Sequence, residues 1–153
     1  MTAKIGLAPA DLGALVPLIG QGQNDVVVDL SDRLLYLYAD RQSDIAIAQY
    51  DIAIGQDGWE TPLGRYLIED MQTDPAWQHP ITNEVFPPGE DNPLGAAWIS
   101  FLTTEDYSLG LHGTNDESLV GQAVSHGCIR MRDADILALY EKVNLGWPLD
   151  VRS

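Results

Sequence analysis

The sequence predicts a mainly β, sandwich-like single domain with a short helix and one C-terminal helix, and three observations carry that prediction. Apolar residues recur at a spacing of two in short runs bounded by turn formers. Glycine and proline, 14 and 9 in 153 residues, interrupt the chain throughout. Only one clear stretch, near the C-terminus, switches to helical spacing. A length of 153 residues suits one domain, and 45% hydrophobic against 20% charged residues excludes a disordered chain.

Residues 1–24 read as an N-terminal extension. Met1 to Gly22 holds one Lys and an apolar patch, Leu12 to Ile19, but Asp11 and Pro17 break the pattern and no small-residue cleavage site follows, so no signal peptide is visible. Asp25 to Leu30 alternates, with Val26, Val28 and Leu30 on one side. Ser31-Asp32 turns the chain and Leu34 to Tyr38 is rich in strand formers, which predicts a hairpin. Ile45 to Ile54 is a strand-length apolar run closed by Gly55-Gln56-Asp57-Gly58, and Thr61-Pro62-Leu63-Gly64 is a turn sequence leading into a strand from Arg65 to Glu69. Met71 to Ala97 holds five of the nine prolines together with Trp77, His79 and Phe86. That composition resists helix and central strand, and predicts a long ordered loop of the kind that forms lids and walls.

Trp98 to Leu102 and Tyr107 to His112 return to strand character. The second places Leu109 and Leu111 on one face and Ser108, Gly110 and His112 on the other. Asn115 to Gln122 suits a short helix opened by Asn115 or Asp116, and Ala123 to Met131 reads as strand again. Asp133 is placed to cap a helix from Ala134 to Val143, whose Ile136, Leu139, Tyr140 and Val143 share one face; Gly146 and Pro148 lie just beyond its end, and Leu149 to Val151 makes a last strand.

Lys and Arg number 8 against 23 Asp and Glu, a formal charge of -15, so phosphate backbones and anionic headgroups are repelled and no nucleic acid or lipid partner is expected. No apolar run approaches the ~18 residues of a membrane-spanning segment. Cys128 is the single cysteine, which excludes intramolecular disulfides and zinc sites built on several cysteines.

What surrounds that thiol is the informative segment, Ser125-His126-Gly127-Cys128-Ile129-Arg130-Met131. In an extended chain His126, Cys128 and Arg130 share one face, so an imidazole and a guanidinium stand ready to lower the thiol's pKa toward a nucleophilic thiolate. Gly127 lacks a Cβ, which lets a substrate carbonyl approach, and the adjacent N–H groups have the makings of an oxyanion hole. His112 lies 16 residues before Cys128, room for a short crossover that returns the chain beside its starting strand.

His112-Gly113-Thr114-Asn115, then Ser125-His126-Gly127-Cys128-Ile129-Arg130, together with Thr61-Pro62-x-Gly64 and Asn92-Pro93-Leu94-Gly95 before Trp98, resemble the L,D-transpeptidase catalytic domain, also called the YkuD domain. The resemblance spans roughly Asp25 to Val151, so 25–153 is taken as the catalytic domain. It implies a YkuD-like β-sandwich of mixed sheets. It further implies Cys128 as nucleophile, His112 as its base and a backbone carbonyl near Gly113 orienting the imidazole. His126 and Arg130 would line the donor site, with Ser125, Gly127 and Cys128 shaping the oxyanion hole. The implied substrates are peptidoglycan stem peptides. The thiol attacks the third residue's carbonyl, expels D-alanine and passes the acyl group to an amine, with no cofactor and no metal. A monomer in the cell envelope or periplasm follows from the same resemblance; with no visible signal peptide, a cytoplasmic location stays open.

Rivals remain at this level. Water as acceptor turns the same site into a carboxypeptidase. His112, His126 and Cys128 also suit a zinc hydrolase, although no carboxylate stands at ligand spacing. Papain-like hydrolases place Cys before His, the reverse of the order here. A non-catalytic wall-binding module would need no reactive thiol. Pattern alone does not rank the two histidines, but strand geometry does: His126 and Cys128 at i and i+2 run nearly parallel, whereas His112 on a neighbouring strand can face the sulfur.

Overall fold

Runs that bury every second residue need a partner surface, and here two sheets supply it to each other. The structure, a computed structural model, describes residues 23–79 and 81–153. The extension read at 1–24, with its signal-peptide question, lies outside the described residues up to residue 22. The strands are β1 (Asp25–Asp29), β2 (Leu34–Tyr38), β3 (Ala46–Asp51), β4 (Ile54–Gly55), β5 (Gly64–Leu67), β6 (Asp70–Thr73), β7 (Trp77–Gln78), β8 (Val85–Phe86), β9 (Ala97–Thr103), β10 (Ser108–His112), β11 (Ala123–Ser125), β12 (Ile129–Arg130) and β13 (Pro148–Arg152). A 3-10 turn occupies Glu117–Leu119 and one helix, α1, occupies Asp133–Tyr140.

One sheet has the order β3-β2-β1-β13-β5 and the other β12-β10-β9-β6, while β4 pairs with β11 and β7 with β8. Both main sheets are mixed: β1 runs parallel to β13, and β10 parallel to β12, among antiparallel neighbours. Val26, Val28, Leu35, Leu37 and Leu149 from the first sheet share one core with Ile99, Phe101, Leu111 and Ile129 from the second and with Ile136 and Leu139 of α1. Tyr66 and Phe101, with ring centroids 5.0 Å apart, join β5 to β9. Each such buried side chain contributes roughly 1.5–3 kcal/mol before chain entropy is counted.

The predicted hairpin is β1–β2, and the predicted last strand is β13, which lies centrally between β1 and β5. Four expectations change. The run Ile45 to Ile54 is two strands, because Ala53 leaves the β3 ladder to exchange hydrogen bonds with Arg130 at 2.8 and 3.0 Å, and β4 then pairs with β11. Met71 to Ala97 is not all loop: Asp70–Thr73 forms the edge strand β6, and Trp77 and Phe86 pack with centroids 5.3 Å apart in the β7–β8 hairpin. Its prolines cannot donate hydrogen bonds, and the fully buried Asn92 side chain serves the segment instead, donating to the carbonyls of Pro75, Phe86 and Pro87 at 2.7, 3.2 and 3.3 Å. The expected strand Ala123 to Met131 breaks at His126–Gly127. Helix α1 begins at Asp133 and ends at Tyr140, with Arg132 at its N-cap and no side-chain cap.

One buried pair sets a pH dependence of stability. Asp25 lies against Asp150, and burial followed by that neighbouring carboxylate raises the Asp25 pKa to about 6. The folded state therefore holds this proton more tightly than the unfolded chain, so stability falls as pH rises from 4 to 6 and the cost is fully present at pH 7. Asp25→Asn, neutral throughout, is expected to raise stability at pH 7 by about 1 kcal/mol, a value discounted for solvent screening at the half-buried Asp150, and to lose the gain below pH 4. Urea denaturation at pH 7 and pH 4 measures it.

Candidate active site

β10 ends in His112, and the next 16 residues perform the crossover that a parallel partner requires. The Asp116 side chain caps the 3-10 turn by accepting from Ser118 N–H at 3.1 Å, β11 follows, and β12 returns parallel to β10 with Leu111 opposite Ile129 and His112 opposite Arg130. His112 therefore faces Arg130 in the ladder rather than Cys128. The cysteine sits just ahead of β12, at the mouth of the bend.

That bend is built by side chains. Gly127 has φ +118°, a conformation L-residues rarely adopt. Ser125 Oγ accepts from Gly127 N–H at 3.1 Å and donates to the Cys128 carbonyl, closing the turn on itself. Thr61 Oγ1 donates to the Gly127 carbonyl at 2.8 Å and accepts from Gly55 N–H at 3.4 Å, tying the bend to β4. The sequence marks Thr61 only as a turn residue; its buried hydroxyl is what secures the bend.

His126, Cys128 and Arg130 do line one cleft, of about 630 Å³, together with His112, Ser125 and Ser108. They share it because of the bend and not through strand alternation. A register slip between Leu109 and Gly110 likewise interrupts the clean alternation expected of β10, and Leu109 lines the cleft as well as joining the core. Trp59, Trp77, Pro93, Leu94 and Tyr107 complete much of the wall, so part of the proline-rich segment does border the site.

His112 is buried and stacks on Trp98 with ring centroids 6.0 Å apart. Its Nδ1 lies 2.5 Å from the Gly113 carbonyl, which only accepts; Nδ1 must carry the proton, leaving Nε2 free to accept one. Burial lowers its pKa to about 4, against an opposing pull from that hydrogen bond and with a smaller push from Arg130. Cys128 is half-buried, its Sγ 3.9 Å from the Ser108 carbonyl. Burial raises its pKa, outweighing the Gly110 N–H and the Arg130 guanidinium that pull it down. This reverses the lowering expected from neighbouring cations: burial favours the uncharged thiol of Cys128 and the uncharged imidazole of His112, which line the same cleft. His126 is exposed and stacks on Trp59 with centroids 4.6 Å apart. Gly127's N–H is taken by Ser125, so it does not serve the expected oxyanion hole in this state.

The family model for the L,D-transpeptidase catalytic domain, YkuD, matches residues 23–151. The chain belongs to this family. It is 37% identical over 114 residues to the YkuD protein of Bacillus licheniformis, covering 74% of this chain and 56% of that protein. It is 32% identical over 141 residues to YcfS of Escherichia coli, covering 82% of this chain and 43% of that protein. Both are named as L,D-transpeptidases, and the chain spans about half their length. Among solved structures, L,D-transpeptidase 3 of Mycobacterium tuberculosis superposes with TM-score 0.65 at 16% identity, covering 86% of this chain and 60% of that one. An L,D-transpeptidase of Stackebrandtia nassauensis gives 0.63 at 21%, covering 87% and 57%. These likenesses establish the mainly β, mixed-sheet fold of the family.

One residue that holds the turn after His112 escapes a sequence reading. Asp133, taken as a helix cap, instead turns its carboxylate across the molecule: Oδ1 accepts from Ala96 N–H at 3.0 Å and Thr114 N–H at 3.2 Å. A Cβ on Gly113 would collide with this same oxygen, so Gly113 and Asp133 fit only as a pair. The anchored turn contains the carbonyl that orients His112. Asp133→Ala is expected to lower kcat by about tenfold or more with KM little changed, while Asp133→Asn, which keeps an acceptor oxygen, retains most activity. Steady-state kinetics of both variants check it.

His79 does not reach the cleft; its Nδ1 accepts from the N–H groups of Ile81 and Thr82 at 3.1 and 3.2 Å, a turn role. Among the described residues no three of His, Cys, Asp and Glu converge in a geometry that holds a metal ion. Nor is any described helix long and apolar enough to cross a membrane.

Proposed function

We propose that this domain is a peptidoglycan L,D-transpeptidase with Cys128 as nucleophile and His112 as base, acting in the cell envelope on tetrapeptide stems. The observation that carries the reading is the single orientation of His112: Nδ1–H is fixed on the Gly113 carbonyl, which presents an unprotonated Nε2 within the cleft that Cys128 lines. The thiol gives its proton to Nε2 as sulfur bonds to the carbonyl carbon of the third stem residue. The imidazolium returns that proton to the departing amine, and D-alanine leaves as the thioester forms. An amine then attacks the thioester, the new amide bond forms and the C–S bond breaks. With Gly127's N–H engaged by Ser125, the Cys128 amide is the backbone donor beside the sulfur for the developing oxyanion. Arg130 and the exposed His126 line the donor side.

The test is incubation with a defined tetrapeptide muropeptide, followed by intact-protein and product mass spectrometry. The expected result is D-alanine release, an acyl adduct on Cys128 and a cross-linked or amine-exchanged product, all unchanged by EDTA. Hydrolysed product alone would assign a carboxypeptidase, and loss with EDTA restored by zinc would assign a metallohydrolase.

A further inference from the structure

The cleft that holds Cys128 carries one carboxylate and one guanidinium among its lining residues, Glu60 and Arg130. Glu60 is an exposed residue at the rim of this wall. Glu60 follows the exposed Trp59, and its Oε2 accepts from Gly58 N–H at 2.9 Å, so a loop of three residues holds the carboxylate in place. That hydrogen bond, the larger of two from backbone N–H groups, keeps the Glu60 carboxyl below its ordinary pKa and hence ionised at neutral pH. Trp77 and Tyr107 line the same space, and aromatic faces attract cations while lowering the local dielectric.

Building on the transpeptidase reading above, we propose that Glu60 forms the acceptor subsite and recruits the acyl acceptor as a primary ammonium. An ammonium sheds two protons in becoming an amide. One leaves to solvent to give the neutral amine that attacks, and the other passes to Nε2 of His112 during attack and from there to the Cys128 sulfur as the C–S bond breaks. Glu60 binds the cation and takes no part in bond making. It favours ammonium-bearing acceptors over water, which sets the balance between transpeptidation and hydrolysis.

Glu60→Gln isolates the charge, because its amide oxygen can still accept from Gly58 N–H. The amide-to-hydrolysis product ratio is read downstream of acylation and so does not depend on how fast the acyl-enzyme forms. With a free D-amino acid and with a diamino-acid stem peptide as separate acceptors, Glu60→Gln is expected to lower that ratio about three- to fivefold, the size of one exposed charge contact, through acceptor KM. High salt should shrink the difference between wild type and variant. Hydroxylamine, uncharged at neutral pH, should show no change. A fall with the peptide alone assigns the subsite to a side-chain amine, and a fall with the free amino acid assigns it to an α-ammonium. An unchanged ratio for both cationic acceptors, or an equal fall with hydroxylamine, overturns the proposal. Failure of the wild-type chain to form any Cys128 adduct overturns the transpeptidase reading itself, and is seen separately in the intact mass.

Discussion

On the proposed mechanism, Cys128→Ala is expected to eliminate D-alanine release from a tetrapeptide donor, a loss on the order of 10⁴-fold or more, while the protein stays folded. The substitution removes one sulfur from a half-buried position and keeps the Cβ, so it leaves the bend built by Ser125, Gly127 and Thr61 intact. Its stability cost is expected below about 1 kcal/mol, since the thiol faces the cleft and not a closed core. Turnover by product mass spectrometry and thermal unfolding by circular dichroism are measured on the same sample. Normal turnover in a well-folded Cys128→Ala protein would remove the thioester mechanism altogether.

If His112 is the base, His112→Ala is expected to lower kcat/KM by roughly 10²–10⁴-fold, whereas His126→Ala is expected to have a milder effect because its exposed ring stacks on Trp59 and makes no oriented hydrogen bond to a carbonyl. The pH behaviour would distinguish such a base from an ordinary histidine. Its folded pKa of about 4 lies below the ordinary 6.5, so the proton-accepting form persists into acid and the acid limb of kcat/KM is expected near pH 4. The same shift makes stability fall as pH drops from 6.5 to 4, because the unfolded chain takes up the proton first; the loss is about 3 kcal/mol and is absent in His112→Ala. Burial holds the Cys128 thiol above, and the His112 imidazole below, its ordinary pKa, so proton transfer is expected to accompany attack and not to precede it. Iodoacetamide labelling of Cys128 should accordingly be slow at pH 7 and still climbing at pH 9, with His112→Ala abolishing what remains at neutral pH. Fast labelling at pH 6 would show a preformed thiolate and contradict the neutral pair.

The membership of the chain in its family, its β-rich class and its reactive segment were legible because each is written in residues close together in sequence. Val26 and Val28 announce a strand, Ile136 and Leu139 a helix, and Ser125-His126-Gly127-Cys128 with His112 upstream a thiol site. The break at Ala53 was not legible, since hydrogen bonds to the distant Arg130 impose it, and the bend at His126–Gly127, although closed locally by Ser125, is tied to β4 by the distant Thr61. The same holds for Asp133, whose local context says helix cap and whose carboxylate spans to Ala96 and Thr114.

The sequence by itself determined the family and the single thiol, and proposed His112 as the histidine to serve it, for these rest on residue identity and short spacing. Tertiary structure alone decided the direction in which each group's pKa moves. Composition supplies cations and imidazoles that argue for a thiolate, but burial of Cys128 and His112 outweighs them, and burial is a property of contacts between β10, β12 and the segments packed over them. It also decided what ties the bend at Gly127 to β4 and that Glu60 stands in the cleft, because those answers depend on where a folded chain brings residues distant in sequence together.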